Sequence, residues 1–204
     1  MQGYILNINR VKDEDLIVSI LTPNKLKTLY RFYGARHSTI NLGYKIDFEA
    51  IRTNSSMAML RNVLHLAQKW NMQTQKFYIW QQVIKLFYKH LKDVVEIDQF
   101  YFNLLDKMSD KWDRQNSQRV AVEAYIEILE YEGRLHDDFV CFVCEERIDR
   151  DLSLARGFLP AHTSCIFANQ QNKAKIENLF QTKSTLFLED SEVLDLWNII
   201  NEGF

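Results

Sequence analysis

Four residues late in the chain form two closely spaced pairs, and they constrain the fold more than any other feature of the sequence. Cys141 and Cys144 form a Cys-x-x-Cys pair, and His162 and Cys165 form a His-x-x-Cys pair after 17 intervening residues. Zinc takes four such ligands in a tetrahedron, and a two-residue spacer lets one tight turn present two of them. The spacing therefore predicts one Zn²⁺ ion that holds a module of about residues 138–168 together.

The predicted ion is expected to be structural, because four protein ligands leave no coordination position for water. A catalytic zinc deaminase is excluded, since the sequence lacks the His-x-Glu element that precedes Pro-Cys-x-x-Cys in those enzymes. His136 lies five residues before Cys141 and is an alternative to His162 as the fourth ligand. Three buried thiols and a surface histidine, without a metal, are the remaining interpretation.

The first part of the chain contains short apolar or alternating runs, which are typical of β-strands. Pro23 and Asn24 separate two of these runs and predict a hairpin turn. A fifth run, residues 58–68, could complete a small barrel, but its apolar residues also fit the 3.6-residue spacing of a helix. The four predicted strands cover residues 3–11, 15–22, 26–34 and 44–50.

From Gln73 onward the apolar residues recur at helical spacing. Gly133 is well placed to end the third of the predicted helices. We therefore expect an α+β protein with a barrel over residues 1–72 and a helical domain over residues 73–204 that contains the zinc module. The predicted helices cover residues 73–92, 98–112, 117–132, 172–180 and 191–201.

The formal net charge of −2 hides a strong division between the two ends of the chain. Residues 1–92 contain 14 Lys and Arg against 5 Asp and Glu, whereas residues 93–204 contain 11 against 22. The first part thus carries +9, which indicates an anionic partner such as nucleic acid or an acidic protein tail. A solvated basic surface without a partner is the alternative.

Basic residues alternate with aromatic residues in the third predicted strand and the loop after it. On a strand, Lys25, Lys27, Arg31 and Tyr33 share one face, and Leu26, Tyr30 and Phe32 share the other. We expect the first face to bind and the second to pack, as in small barrels that hold single-stranded nucleic acid with cations and stacked rings. The candidate DNA-binding residues are Lys25, Lys27, Arg31, Arg36 and His37.

A second basic surface is predicted on the first helix. Lys85, Lys89 and Lys92 recur at spacings of four and three residues, beside apolar residues such as Phe87 and Leu91. This pattern suits an acidic peptide with an apolar end, although a plain solvated helix face has the same pattern.

These segments together resemble the RecO family of bacterial recombination mediators. The resemblance rests on GYILNINRVKDEDLIVSILTPNKLKTLYRFYGAR, then NLGYKIDFEA, and finally CFVC with RGFLPAHTSC. It implies an OB-fold barrel, a helical domain and an embedded zinc finger. It also implies binding and annealing of single- and double-stranded DNA, contact with RecR and with the C-terminal tail of single-stranded DNA-binding protein, and indirect action on RecA.

The sequence departs from the family pattern at one ligand and in its overall properties. His162 stands where the family usually has a cysteine, and the chain is shorter and more acidic than many members.

An enzymatic function is not expected, because the sequence has no GxxxxGK[ST], GxSxG or HExxH motif. The alternative function is a zinc-stabilised scaffold that binds an acidic protein and not DNA. The N-terminus does not resemble a signal peptide, and no apolar run is long enough for a membrane span. We therefore expect a cytoplasmic protein without membrane contact. The resemblance to the RecO family implies a bacterial protein that associates with the nucleoid during repair.

Overall fold

Five strands in the first part of the chain form a closed barrel. The structure, a computed structural model, describes residues 1–12, 14–52 and 56–204. The strands are β1 (Gln2–Arg10), β2 (Leu16–Thr22), β3 (Lys25–Arg31), β4 (Lys45–Ile51) and β5 (Met59–His65). Their order around the barrel is β1-β2-β3-β5-β4, with β1 also paired to β4. Only the contact between β3 and β5 is parallel among these pairs. The predicted five-stranded barrel is confirmed.

The run at residues 58–68, for which the sequence allowed either a strand or a helix, forms a strand, β5, with one irregularity. Its Leu64 lies opposite Asp47 and its Arg61 opposite Glu49, so β5 carries one residue more than β4 over this stretch. Asn62, within the extra stretch, has a left-handed φ of 48°. Such a bulge shifts the side chains that follow it to the other face. The bulge therefore breaks the alternation that would have identified the strand from sequence.

The barrel interior is filled by branched aliphatic side chains and one phenylalanine. β2 and β4 supply residues at alternate positions, as the pleat of a strand requires. Burial of apolar surface of this kind stabilises a fold by roughly 25 cal/mol per Å². The buried cluster comprises Ile5, Leu16, Val18, Ile20, Leu29, Ile40, Ile46, Phe48 and Leu60.

The compact unit that contains the barrel extends from Met1 to Arg114 and also contains two helices. They are α1 (Thr74–Leu91) and α2 (Gln99–Trp112). Both agree with the predicted helices, and Asp98 caps α2 by accepting a hydrogen bond of 2.7 Å from the backbone N–H of Phe100.

Three tryptophans fix these helices in the unit. Trp70, Trp80 and Trp112 are all buried, and the ring of Trp80 lies 5.0 Å from each of the other two rings. Each indole N–H donates to a backbone carbonyl; the Trp80 bond, to Gly43, is 2.8 Å long. A buried indole N–H without an acceptor would be costly, so these bonds select one arrangement of the rings.

A polar cluster joins the barrel to α2. Asp106 accepts hydrogen bonds of 2.6 Å from both the Tyr4 hydroxyl of β1 and the Lys45 ammonium of β4. Burial, followed by the hydrogen bond to Asp106, raises the pKa of Tyr4, so this hydroxyl stays protonated and remains a donor.

The second compact unit, Gln115–Phe204, contains three helices and a small sheet. Its helices agree with the predicted ones, and the α+β class is confirmed. The sheet was not predicted: it has the order β7-β6-β8, and its hairpin turns at Gly157 with a left-handed φ of 78°. The elements are α3 (Ser117–Tyr131), β6 (Leu152–Ala155), β7 (Leu159–His162), β8 (Gln170–Gln171), α4 (Lys173–Thr182) and α5 (Asp190–Asn201).

Within the described ranges, no helix has the length and apolar character needed to cross a membrane.

The contact between Gly43 and Trp80 predicts a strong effect of Gly43→Ala. Gly43 has a φ of +85°, and a Cβ at this position would lie 2.7 Å from the Trp80 ring. Left-handed strain costs an L-residue about 1–2 kcal/mol, and overpacking adds about 1–3 kcal/mol. We expect a loss of about 2–5 kcal/mol in the free energy of unfolding, measured by denaturant titration.

Gly133→Ala is the matched control. Gly133 also has a positive φ, of +66°, but nothing lies within 4 Å of an added Cβ. Its cost should be the backbone strain alone, about 1–2 kcal/mol. Equal losses for the two variants would contradict the packing role assigned to Gly43.

Candidate metal centre and nucleic-acid interface

The four predicted ligands converge in the second unit. The Sγ atoms of Cys141, Cys144 and Cys165 and a ring nitrogen of His162 all lie within 4.8 Å of one another. The Cys144 Sγ and His162 Nδ1 atoms are 3.3 Å apart. In a tetrahedral zinc site with Zn–S bonds of about 2.3 Å, neighbouring donors are roughly 3.8 Å apart. The donor set and its spacing therefore fit one zinc ion, and the group could hold a metal.

Two tight turns present the ligands in pairs. In the first turn, the Cys141 N–H donates to the Glu146 carbonyl at 2.8 Å, and the Glu145 N–H donates back to the Cys141 carbonyl at 2.9 Å. In the second, the Cys165 N–H donates to the His162 carbonyl at 2.9 Å, directly after β7. The Phe142 N–H donates to the Pro160 carbonyl at 3.0 Å and so ties the first turn to β7.

The electrostatics of the cluster favour a cation. Burial raises the pKa of the Cys141 thiol, but backbone N–H groups of Cys144, His162 and Val143 outweigh it, so that the pKa falls to about 6. Burial raises the pKa of Cys165, and the thiols of Cys141 and Cys144 raise it further. Negative charge is thus stabilised at one sulfur and opposed at another. A bound cation would remove the opposition, since metal-bound thiols are deprotonated.

His136, the alternative fourth ligand, is not part of this cluster. It lines a separate cavity together with Arg134 and Arg156. The structure therefore brings His162, and not His136, to the three cysteines.

Apolar packing holds the module within its unit. Phe139, just before the first turn, is buried and lies 5.8 Å from the Phe180 ring of α4 in a stacked orientation. Phe158 lies against Phe180 and against Tyr125 of α3. Ring packing against α3 and α4 therefore holds the segments next to the two turns.

The candidate DNA-binding cations lie at several places on the barrel. At one end of β3, Lys25 is exposed and Lys27 is half-buried. Burial lowers the pKa of Lys27, and so do the nearby charges of Lys25 and Arg52. Arg52, an exposed residue after β4, was not among the predicted residues. Arg52 is far from β3 in the sequence, so the pattern of β3 did not identify it. It comes near β3 only in the folded barrel.

At the other end of β3, Arg31 is half-buried and has a structural contact. Its Nη1 donates to the Leu60 carbonyl of β5 at 3.0 Å. Burial lowers the pKa of Arg31, and the neighbouring charge of Arg61 lowers it further. Arg61 is exposed and was also not predicted.

Arg36 and His37 follow β3 in a short turn and are exposed. Arg36 makes an ion pair with Glu14, and its guanidinium lies 5.1 Å from the centre of the Tyr33 ring. An exposed ion pair of this kind contributes little stability, so Glu14 can be displaced by another anion.

The expected separation of a binding face and a packing face on β3 is wrong. Leu29 shares its face with Lys27 and Arg31, and it is buried in the barrel core. The cations therefore lie on the inward side of the strand, near its two ends, where long side chains can reach solvent. Phe32, expected to pack, is instead 49% exposed just beyond the strand.

Two aromatic rings directly after the Arg31 end of β3 face solvent. Phe32 and Tyr33 are about half exposed, whereas Tyr30 donates from its hydroxyl to Asp15 and contacts the Phe32 ring at 5.0 Å. Exposed rings next to cations are the arrangement that stacks nucleic-acid bases while phosphates are neutralised.

Lys85 and Lys89 of α1, and Lys92 directly after its last residue, are exposed on one side of the helix. Lys85, Lys89 and Lys92 lie away from the buried side, which includes Phe87 and Leu91. Tyr78, 62% exposed, belongs to the same outer side. The predicted surface thus exists as an exposed basic helix face.

Comparison with known proteins gives one family match. Residues 1–71 match the family model described as RecO N terminal. No curated protein matches the chain. The matched segment is the one that forms the closed barrel and carries the cations and exposed rings described above. The predicted resemblance is confirmed over these residues, which are similar to the RecO N-terminal family.

Proposed function

We propose that this protein is a DNA repair and recombination mediator that binds DNA through its barrel. One observation carries the proposal: within the segment that matches the RecO N-terminal family, the exposed Tyr33 ring lies 5.1 Å from the Arg36 guanidinium, and further cations lie on the same barrel. The cations come from β3, from the residue after β4 and from β5. Such a surface neutralises phosphates and stacks bases without reading sequence.

The proposed mode of action is binding and positioning, not bond chemistry. Single strands held by phosphate contacts and stacked rings keep their pairing edges available, which suits annealing of complementary strands. Double-stranded DNA would use the cations alone. We propose Lys25, Lys27, Arg31, Arg36 and His37 as contacts, and we add Arg52 and Arg61.

The proposed protein partners are RecR and the C-terminal tail of single-stranded DNA-binding protein, with an indirect effect on the loading of RecA. The exposed side of α1, with Lys85, Lys89 and Lys92, supports contact with an acidic tail because its charges face solvent. The alternative is a scaffold whose barrel binds an acidic protein and not DNA.

We propose a structural role for zinc in the second unit. Cys141, Cys144, His162 and Cys165 would hold the ion, and the ion would supply bonds that lock the two turns together. The residues around it provide the packing, through Phe139 and Phe158.

The double variant Lys25→Ala, Arg61→Ala tests the DNA surface. Both residues are exposed, so their loss should not disturb the barrel, unlike loss of the half-buried Arg31. Each phosphate contact on a single strand contributes about −0.7 to the log–log slope of affinity against salt. We expect weaker binding to a single-stranded oligonucleotide and a slope shallower by about 1–1.5, measured by fluorescence anisotropy at several salt concentrations.

Lys85→Ala, Lys89→Ala is the control for this titration, because it removes two exposed charges from α1. It should leave the salt slope unchanged. If this control flattens the slope and the barrel variant does not, the DNA surface lies on α1. If the native protein shows no salt-dependent binding, the scaffold alternative is favoured.

Phe32→Ala tests stacking separately from charge. A stacked base contributes about 1–3 kcal/mol, so affinity for single strands should fall by about fivefold or more while the salt slope stays the same. Tyr78→Ala, which removes a ring that is 62% exposed on α1, should have no effect. Unchanged affinity in Phe32→Ala would exclude this ring as a stacking platform.

The metal site predicts different outcomes for its ligands. Cys144→Ser removes a thiolate and should lower zinc content well below one ion per chain, whereas His162→Cys should retain zinc because sulfur also serves as a ligand. His136→Ala should keep full occupancy, since His136 lies in a separate cavity. Elemental analysis of each purified variant makes the measurement. Absence of zinc from native protein kept away from chelators would disprove the site.

A further inference from the structure

Three large apolar side chains on the two metal-ligand turns are exposed to solvent. Phe142 and Val143, between the first two ligands, are 45% and 50% exposed. Phe167, two residues after Cys165, is fully exposed. Large apolar side chains that are grouped on a surface mark interaction sites more often than single ones do.

The backbone that presents these side chains is held in place. The Phe142 N–H donates to a carbonyl of β7 at 3.0 Å. Directly after Phe167, the Ala168 carbonyl accepts a hydrogen bond of 3.2 Å from the Ser153 hydroxyl, and the Asn169 amide donates to α5 at 2.8 Å. The exposure of the rings is therefore a property of the ordered module.

The ligand cluster keeps the two turns close together. The Sγ atoms of Cys144 and Cys165 lie within 4.8 Å, so the Cα atoms of Val143 and Phe167 are at most about 22 Å apart. A standard protein interface of about 800 Å² per partner is roughly 30 Å across and can include both turns. We call the surface formed by Phe142, Val143, Phe167 and the acidic residues around them the knuckle face.

The charges around the knuckle face are mainly negative. Residues 137–151 contain six Asp and Glu against two Arg, and all eight side chains are exposed. An apolar centre with an acidic rim suits a partner surface that combines aromatic rings with cations.

The barrel of the same chain has such a surface. Residues 1–71 contain ten Lys and Arg against five Asp and Glu. At one end of β3, Arg61 is exposed and lies near enough to Arg31 to lower its pKa. Phe32 and Tyr33, which follow directly, are 49% and 57% exposed. We call these four residues the Arg31 end of the barrel.

We infer that the knuckle face of one copy docks on the Arg31 end of the barrel of a second copy. Rings on both surfaces supply the centre of the contact, and opposite charges supply its rim. Because the two surfaces differ, each copy keeps one of them free, and the copies associate head to tail. The association itself does not depend on DNA. Competition between DNA and a second copy for the barrel is a consequence that rests on the proposed function.

Sedimentation velocity of the full chain, over a range of protein concentrations, tests the association. At low salt the mean mass should rise with concentration. At high salt it should fall toward that of the monomer, because salt screens the charges of the rim. Native protein that stays monomeric under all these conditions would overturn the inference and leave a basic surface of another protein as the occupant.

Two double variants each remove one of the surfaces. The knuckle variant is Phe167→Ala, Glu146→Gln, and the barrel variant is Phe32→Ala, Arg61→Ala. All four side chains are exposed, so both variants should fold. Each variant alone should associate about tenfold more weakly or less, because an aromatic residue at the centre of a contact contributes strongly to affinity.

Glu177→Gln, Leu186→Ala is the matched control for the knuckle variant. It removes one exposed acidic group and one apolar side chain, 77% exposed, from other parts of the second unit. It should associate as the native protein does. An equal loss in this control and in the knuckle variant would show that the contact lies elsewhere.

A mixture of the knuckle and barrel variants tests the head-to-tail arrangement. The knuckle variant keeps its barrel and the barrel variant keeps its knuckle face, so one intact pair of surfaces remains. The mixture should form a dimer of one copy of each and no larger species. A mixture that stays monomeric, although native protein associates, would overturn the inference.

DNA binding by the knuckle variant separates this inference from the proposed function. Its barrel is intact, so it should bind a single-stranded oligonucleotide with the native salt slope. Salt-dependent DNA binding by native protein that never associates would contradict the head-to-tail contact alone. Association without DNA binding would contradict only the proposed function.

Discussion

The parallel pairing of β3 with β5 closes the barrel, and the proposed DNA surface depends on it. The Tyr30 N–H donates to the Ala58 carbonyl at 2.9 Å, and Arg31 donates to the Leu60 carbonyl. These few bonds bring Arg31 and Arg61 together although they are far apart in sequence. Like charges held together repel each other, as the lowered pKa of Arg31 reflects in part. A bound polyanion would relieve that repulsion, which supports the proposed DNA surface.

Much of the fold could be predicted from the sequence, because its helices and strands are marked by patterns among neighbouring residues. Apolar spacing and the glycine after α3 identified the five helices of the described residues to within a few residues. The strands of the barrel were also predicted, except that β5 remained open because the bulge at Asn62 breaks its alternation. The small sheet of the second unit was missed. Its strands have only two to four residues, too few for a period to emerge.

The two candidate sites differed in how far the sequence could predict them. The grouping of the metal ligands follows from spacing alone, since each pair lies in one turn. The cationic surface does not follow from the sequence. The alternation along a strand separates its two faces, but it does not indicate which face fills the interior of a closed barrel. Leu29 occupies the core on the face expected to bind. Arg52 and Arg61 join the surface only through pairings between distant segments, which no local pattern encodes.

The aromatic cluster of the first unit has a consequence for how the chain can be divided. The match to the RecO N-terminal family stops at residue 71, one residue beyond Trp70. Trp70 is 2% exposed because Trp80 of α1 and Trp112 of α2 cover it. A fragment cut where the family match ends would present this indole, and the apolar surface around it, to water and invite aggregation. The smallest fragment that keeps this core intact therefore reaches Arg114. The segment that matches the family is thus shorter than the compact unit of the structure.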